Sequence, residues 1–271
     1  MASNFTKELA VHSGKKVKLH KYDPEETLGV EKDHKTKQSL AKTLNRIDEL
    51  QYLLYAERKH ALLIVLQAMD TGGKDGTIRH VMSGVNPQGC RVTSFKVPSA
   101  EEREHDFLWR IHKAVPTLGE IGIFNRSHYE DVLVVRVHGL VSKNVWSKRY
   151  DQINAFEEYL TKNGVTILKF YLHISKEEQK KRILERVKDP DKHWKISEAD
   201  FKEREYWNEY VDAYEDLLSR CSTKGAPWFI IPANKKWFRN LAVSHIIQET
   251  LEDLQLQYPK PTVDLKKLKV R

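Results

Sequence analysis

The sequence predicts an α/β fold, a parallel sheet with helices on both faces and a phosphate-binding loop at its carboxyl edge. Two observations predict it. Short apolar runs at 62–66, 91–97, 121–124, 165–172 and 228–231 alternate with helical stretches of connector length, the rhythm of strands joined by crossover helices. The first run lies within ALLIVLQAMDTGGKDGT (61–77) and empties into a glycine-containing loop ending in Gly73-Lys74. Such a loop turns successive N–H groups toward phosphate oxygens, and a helix starting at its end adds a positive dipole.

Taken in order, residues 1–38 are polar and without periodicity, and read as an arm over the surface that carries Lys15, Lys16, Lys18 and Lys21. From Ser39 to Lys59, Leu40, Leu44, Ile47, Leu50 and Leu54 recur at helical spacing, giving an amphipathic helix that leads into the first strand. No repeat or Pro/Gly/Ser linker interrupts the chain from there, so 39–258 read as one domain and 259–271 as a basic tail with Lys266, Lys267, Lys269 and Arg271. Ligands of open parallel sheets gather beyond the carboxyl ends of the strands. Both the 68–74 loop and Asn125-Arg126 fall there.

The 271 residues carry 46 Lys and Arg against 38 Asp and Glu, a net charge of +8. This favours a polyanionic partner, or simply a basic solvated surface. Cys90 and Cys221 are too few for a disulfide framework and lie in no metal pattern, so they read as free thiols. Nothing near the N-terminus has signal-peptide character, and no run approaches the ~18 apolar residues of a membrane span. The expectation is a cytoplasmic protein without a membrane partner.

Against the strict pattern GxxxxGK followed by Ser or Thr, Ala68 replaces the first glycine and Asp75 the hydroxyl residue. Asp70 sets a carboxylate inside the loop, where it would repel phosphates unless a cation such as Mg²⁺ intervenes. Asp75 reads equally as a metal-side group or as a helix N-terminal residue favoured by the dipole. At the second strand end, in IGIFNRSHYEDVLVVRVH (121–138), Arg126 can hold a phosphate bidentately or pair with Glu130. The segment 180–206 places Arg182 and Arg186 at i, i+4 before a basic, Pro-interrupted loop with Lys188, Lys192, His193 and Lys195. It reads as a lid that closes over phosphates and excludes water, though a solvated basic helix has the same pattern. Lys235, Lys236 and Arg239 follow the last strand. In DFLWRIHK (106–113) the apolar members read as core and His112 as structural.

These pieces together resemble the family-2 polyphosphate kinases, a P-loop kinase group similar in fold to thymidylate kinase. The resemblance rests on AMDTGGKDGT, SFKVPSAEE, DFLWRIH, FNRSHYEDVLVVRV, YLHISKEEQKKRI, HWKISEAD and APWFIIPANKKWFRNLAVSHII, and covers nearly the whole chain. It implies reversible transfer of a terminal phosphate between inorganic polyphosphate and AMP, ADP or ATP, with guanine nucleotides as further acceptors. It also implies Mg²⁺, with Mn²⁺ as the alternative cation, and a homo-oligomer of two or four chains. Carried onto this sequence, Gly72, Gly73, Lys74, Asp75, Gly76 and Thr77 bind phosphate, with Lys235, Lys236 and Arg239 extending a groove for polyphosphate. Asp70 holds the metal and acts with Lys74, Arg126 and Glu130 in the transfer. Asn125, Arg126, Arg182, Arg186, Lys192 and His193 form the nucleotide and lid set. Asn125, where members dedicated to nucleoside diphosphates tend to have Asp, and Glu130 look like class III, whose members phosphorylate both AMP and ADP. The rivals are an ATP-dependent nucleotide kinase of the same fold and a basic nucleic-acid-binding protein, the latter without any recognised motif.

Overall fold

A computed structural model describes residues 4–196, 198–264 and 266. The arm begins with helix α1 (Phe5–Leu9) and leads to α2 (His34–Glu57). Strand β1 (Ala61–Gln67) and helix α3 (Lys74–Val81) flank the phosphate loop, and β2 (Cys90–Ser94), α4 (Ala100–Glu104), α5 (Trp109–Ala114) and β3 (Ile121–Asn125) follow. After α6 (Val134–Val137) and α7 (Lys143–Lys162) come β4 (Val165–His173), α8 (Lys176–Lys188), α9 (Glu198–Glu203), α10 (Trp207–Arg220), β5 (Trp228–Pro232) and α11 (Lys236–Asp253).

All five strands are parallel, in the order β2-β3-β1-β4-β5. Every residue of β1 is buried, because it lies between β3 and β4, which is why it reads as an unbroken apolar run. The edge strand β2 is half exposed and correspondingly polar. Leu66 stands opposite Asn125 in the β1–β3 register, so the loops after these two strands leave the sheet side by side. On the other flank, α11 packs against α2 and α3.

The arm differs from its expected form. Phe5, Leu9, Val11, Val17 and Leu19 are buried in the core, the Val11 N–H donates to Trp228 O at 2.8 Å, and Ala10 bridges Phe229 antiparallel. The arm therefore covers the otherwise free edge of β5. The boundary expected at Ser39 falls inside α2, which starts at His34 because the Asp33 side chain accepts from Thr36 N and caps it. In 106–113 only Ile111 of the apolar members is fully buried; Arg110 joins it, donating to Lys96 O, while Trp109 is half-buried and stacked on His105 at 4.0 Å. His112 is exposed, with its ring edge near Phe156. Of the basic tail, Lys266 is described and exposed; Lys267, Lys269 and Arg271 lie outside the described residues. Among the described residues no helix is long and apolar enough to cross a membrane, and Cys90 and Cys221 are free thiols.

Candidate active site

The loop after β1 is built by backbone that few residues tolerate. Thr71 has φ 61° and Gly73 φ 104°, left-handed conformations that cost a non-glycine residue about 1–3 kcal/mol and persist where the surroundings enforce them. A Cβ on Gly72 would lie 2.4 Å from Ala68 Cβ, and one on Gly73 would lie 2.1 Å from Arg239 Nη1. Gly72 is thus required by space and Gly73 above all by φ. Helix α3 starts at Lys74, with its free N–H groups at the loop.

Under the loop sit two arginines. All five donors of the buried Arg182 are used: Nη1 to the carbonyls of Thr71 and Gly72, Nη2 to those of Ala233 and Asn234, and Nε to Glu178 at 2.7 Å. This corrects the expectation for Arg182. It is no lid residue but a fixed rivet between the loop, α8 and the end of β5. Arg182→Met should cost about 3–5 kcal/mol, since it strands buried carbonyls and Glu178 together; denaturant unfolding measures it.

Arg239 is different. It is 3% exposed, bonds only Asn240 Oδ1, and has no carboxylate within 4.0 Å among the described residues. Burial first, and then neighbouring Arg182, push its pKa down to about 10. An uncompensated buried cation against the back of a phosphate loop is a place for an anion's charge.

In front of the loop, Arg126 follows β3 with φ 63°. Its Nη2 donates to Asp70 Oδ1 at 2.7 Å and its Nη1 lies 3.7 Å from Glu130, so Arg126 faces the loop while paired with both carboxylates. Burial would lower its pKa, but Glu130 and Asp70 outweigh that and hold it above the usual value. Lys74 contacts Ala68 O at 3.1 Å, and burial, then Arg126, lower its pKa. Burial raises the Glu130 pKa against the pull of Arg126 and Lys74. Asn125 donates to Asp75 at 2.7 Å, tying the two loops together.

These groups open into a cavity of about 390 Å³. Asp70, Arg126, Glu130, Gln179 and Glu203 give it polar lining, and Val97, Leu133, Trp207, Tyr210 and Tyr214 give it an apolar wall. Glu203 is held there by His138 at 2.9 Å and by the Tyr210 hydroxyl at 2.8 Å.

Other expected residues stand apart from this centre. Thr77 is buried and its hydroxyl donates to Gly73 O, so it supports the loop from within α3 and offers nothing to a phosphate. Gly76 lies on the exposed side of α3 with Arg239 behind it. The Lys235 amine donates to Glu25 O, and Lys236 lies 3.8 Å from Glu185. Lys192 pairs with Asp189 beside its own turn, and His193 reaches back to Val187 O at the end of α8. Of the cations after α8, Lys195 reaches the loop, 3.9 Å from Asp75. Arg186 is half-buried near the end of α8. The expected lid start at Lys180 falls within α8, whose inner face of Gln179, Arg182 and Ile183 is buried.

Asp70 gives Arg126 only Oδ1, and the cavity's carboxylates are hard oxygen donors of the kind Mg²⁺ takes. No cluster of three or more His, Cys, Asp or Glu able to hold a metal occurs among the described residues. A cation here would draw most of its ligands from phosphates and water, which is the habit of Mg²⁺.

The family model for polyphosphate kinase 2 matches residues 30–259. The chain belongs to the polyphosphate kinase 2 family. It is 51% identical over 97% of its length, and 98% of the relative's, to an AMP/ADP-polyphosphate phosphotransferase of Meiothermus ruber. It is 47% identical to an ADP-polyphosphate phosphotransferase of Rhodopseudomonas palustris, covering 95% and 93% of the two chains. The crystal structure of polyphosphate kinase 2 from Arthrobacter aurescens superposes with a TM-score of 0.93 at 46% identity, covering 98% of this chain and 95% of that one. For this polyphosphate kinase the sequence reading missed the cavity wall. Trp207, Tyr210 and Tyr214 recur at i, i+3 and i+7 along α10, a stripe visible in the sequence had that helix been read for its aromatic face.

Proposed function

We propose that this enzyme transfers the terminal phosphate of inorganic polyphosphate, reversibly, to AMP and to ADP. The observation that carries the reading is the position of Arg126, bonded to Asp70 of the phosphate loop and lining a cavity of about 390 Å³ with aromatic walls. The loop takes the donor's end and the cavity takes the acceptor nucleotide. Arg239, without a carboxylate partner, favours a donor richer in charge than the loop alone requires. The name of the Meiothermus ruber relative, with Asn125 and Glu130 here, supports both acceptors; guanine nucleotides belong to the same reading.

In the mechanism, the loop N–H groups and Lys74 cradle the donor phosphates, and bound anion reverses the lowering of the Lys74 pKa. Arg126 leaves Asp70 for the equatorial oxygens of the transferring group and neutralises their charge. Trp207, Tyr210 and Tyr214 enclose the nucleoside and exclude water, so the acceptor phosphate attacks in line in place of hydroxide. That phosphate is ionised near neutral pH, so no strong general base is needed. Asp70 would hold Mg²⁺, or Mn²⁺ in its place, which would supply further neutralisation of phosphate charge. The proposal includes a cytoplasmic location, a homo-oligomer of two or four chains, and no nucleic acid or membrane partner.

The test incubates the protein with Mg²⁺, long-chain polyphosphate and either AMP or ADP, and separates the nucleotides by chromatography. ATP from ADP, and ADP and ATP from AMP, are expected. Product from ADP alone would overturn the reading of Asn125 and Glu130, and product only with ATP as donor would overturn polyphosphate as substrate.

A further inference from the structure

Behind the second strand end lies a polar cluster with no part in the contacts above. Lys169, in the middle of β4, is fully buried. Its three ammonium hydrogens are used on Glu157 Oε2 at 2.5 Å, Cys221 O at 2.6 Å and the Tyr129 hydroxyl at 3.0 Å. The Tyr129 hydroxyl in turn donates to Glu157 Oε1 at 2.8 Å, and His128 Nε2 lies 3.2 Å from the same oxygen. Tyr129 and His128 are 0% exposed and Glu157 is 1% exposed.

Stability alone is a poor reason for such a cluster. Desolvating two charges costs several kcal/mol, and well-packed apolar residues of similar volume often serve a fold as well or better. What apolar residues do not supply is direction. His128 and Tyr129 come two and three residues after Arg126, whose left-handed backbone costs about 1–3 kcal/mol and must be held in place. On the upstream side Arg126 N–H donates to Leu66 O. Next to it, Ser127 Oγ accepts from Gln67 Nε2 at 3.2 Å and from Tyr129 N. Downstream, Arg149 holds Asp131 through its carbonyl at 3.0 Å and its carboxylate at 2.8 Å, and between that anchor and Arg126 the segment is held by the bonding of Tyr129 and His128 to Glu157, which Lys169 fixes in turn.

We infer that Lys169 and Glu157, acting through Tyr129 and His128, are positioning residues that set Arg126 and Glu130 for phosphoryl transfer. The inference rests on the assignment of Arg126 to the reaction. Misplacing a transition-state contact by about 1 Å can cost about 100-fold in rate, and such a loss appears in kcat more than in KM.

The test compares Tyr129→Phe and the apolar pair Lys169→Met with Glu157→Leu against wild type, measuring thermal unfolding, kcat, and KM for polyphosphate and ADP. Expected is a kcat lower by about 10- to 100-fold, with both KM values within about twofold and a cooperative melt retained. Wild-type kcat per folded molecule in either variant overturns the positioning role, as does activity that only tracks the folded fraction. If the apolar pair does not fold, Tyr129→Phe, which removes one hydroxyl, decides alone. Arg126→Lys, assayed alongside, separates the two levels: full activity there overturns the role of Arg126 and the inference with it. Loss in Arg126→Lys with full activity in Tyr129→Phe overturns the positioning only.

Discussion

Lys74→Ala lowers polyphosphate-driven turnover by at least about 1,000-fold and leaves the fold intact. Removing one donor aimed at developing charge commonly costs 100- to 1,000-fold, and charge on a transferring phosphoryl group is worth about as much or more. Lys74 also brings a full charge to the first turn of α3, beside the loop. The fold loses little, because the amine's hydrogen bond is a single one to Ala68 O, and Asp70 and Glu130 keep Arg126 as their partner. Circular dichroism with steady-state ATP formation from ADP checks both halves. Near-wild-type turnover by a folded Lys74→Ala protein would remove Lys74 from the mechanism.

Arg239→Met moves stability and binding in opposite directions. The Arg239 pKa is lowered from 12.5 to about 10, which at about 1.4 kcal/mol per unit makes the buried cation unfavourable to folding by on the order of 3 kcal/mol. The sign follows from the direction: a cation whose folded pKa lies below its unfolded one penalises the fold at every pH below about 10, and the penalty fades only above that. Methionine keeps the stem's volume and removes the charge. The ligand-free protein should therefore gain about 1–3 kcal/mol, less what Asn240 loses. Polyphosphate, which relieves the penalty on binding, should lose most of its stabilising effect, and turnover at low polyphosphate should fall about 100-fold. Thermal melts with and without polyphosphate measure both. A destabilised variant that still gains wild-type stabilisation from polyphosphate would show that Arg239 serves packing instead.

The strands and the loop were legible because their signals are contiguous. β1 is buried on every residue, so its apolar run has no gaps, and of the glycines that follow Gly72 is fixed by space and Gly73 by φ. The helix at 34–57 shows in the sequence only from Ser39 because its first turn, His34 to Gln38, is solvated and carries no apolar periodicity. The arm shows little in the sequence for a related reason: Phe5 and Leu9 share one face of a single short turn of helix, and Val11, Val17 and Leu19 reach the core from mostly irregular chain, so no period runs long enough to be read. Arg182 and Arg186 show a limit of spacing arguments. The two share a helical spacing, yet Arg182 is buried among carbonyls contributed by residues some 50 and 110 positions away, which no local pattern records. Lys169 is harder still, since a lysine within an apolar run gives no sign that Glu157 and Tyr129 await it.

The phosphate loop is made early in the chain and its floor late. Gly73 rests on Arg239, and the carbonyls of Thr71 and Gly72 bond Arg182, which is itself tied to Ala233 and Asn234. During synthesis from the N-terminus, a chain that has emerged through Arg126 holds the glycines, Lys74 and Asp70 but neither Arg182 nor Arg239, which lie beneath the loop. The site comes into being only when the last strand and helix close beneath it. A growing chain lacks both arginine supports of the loop until α8 and α11 have been made.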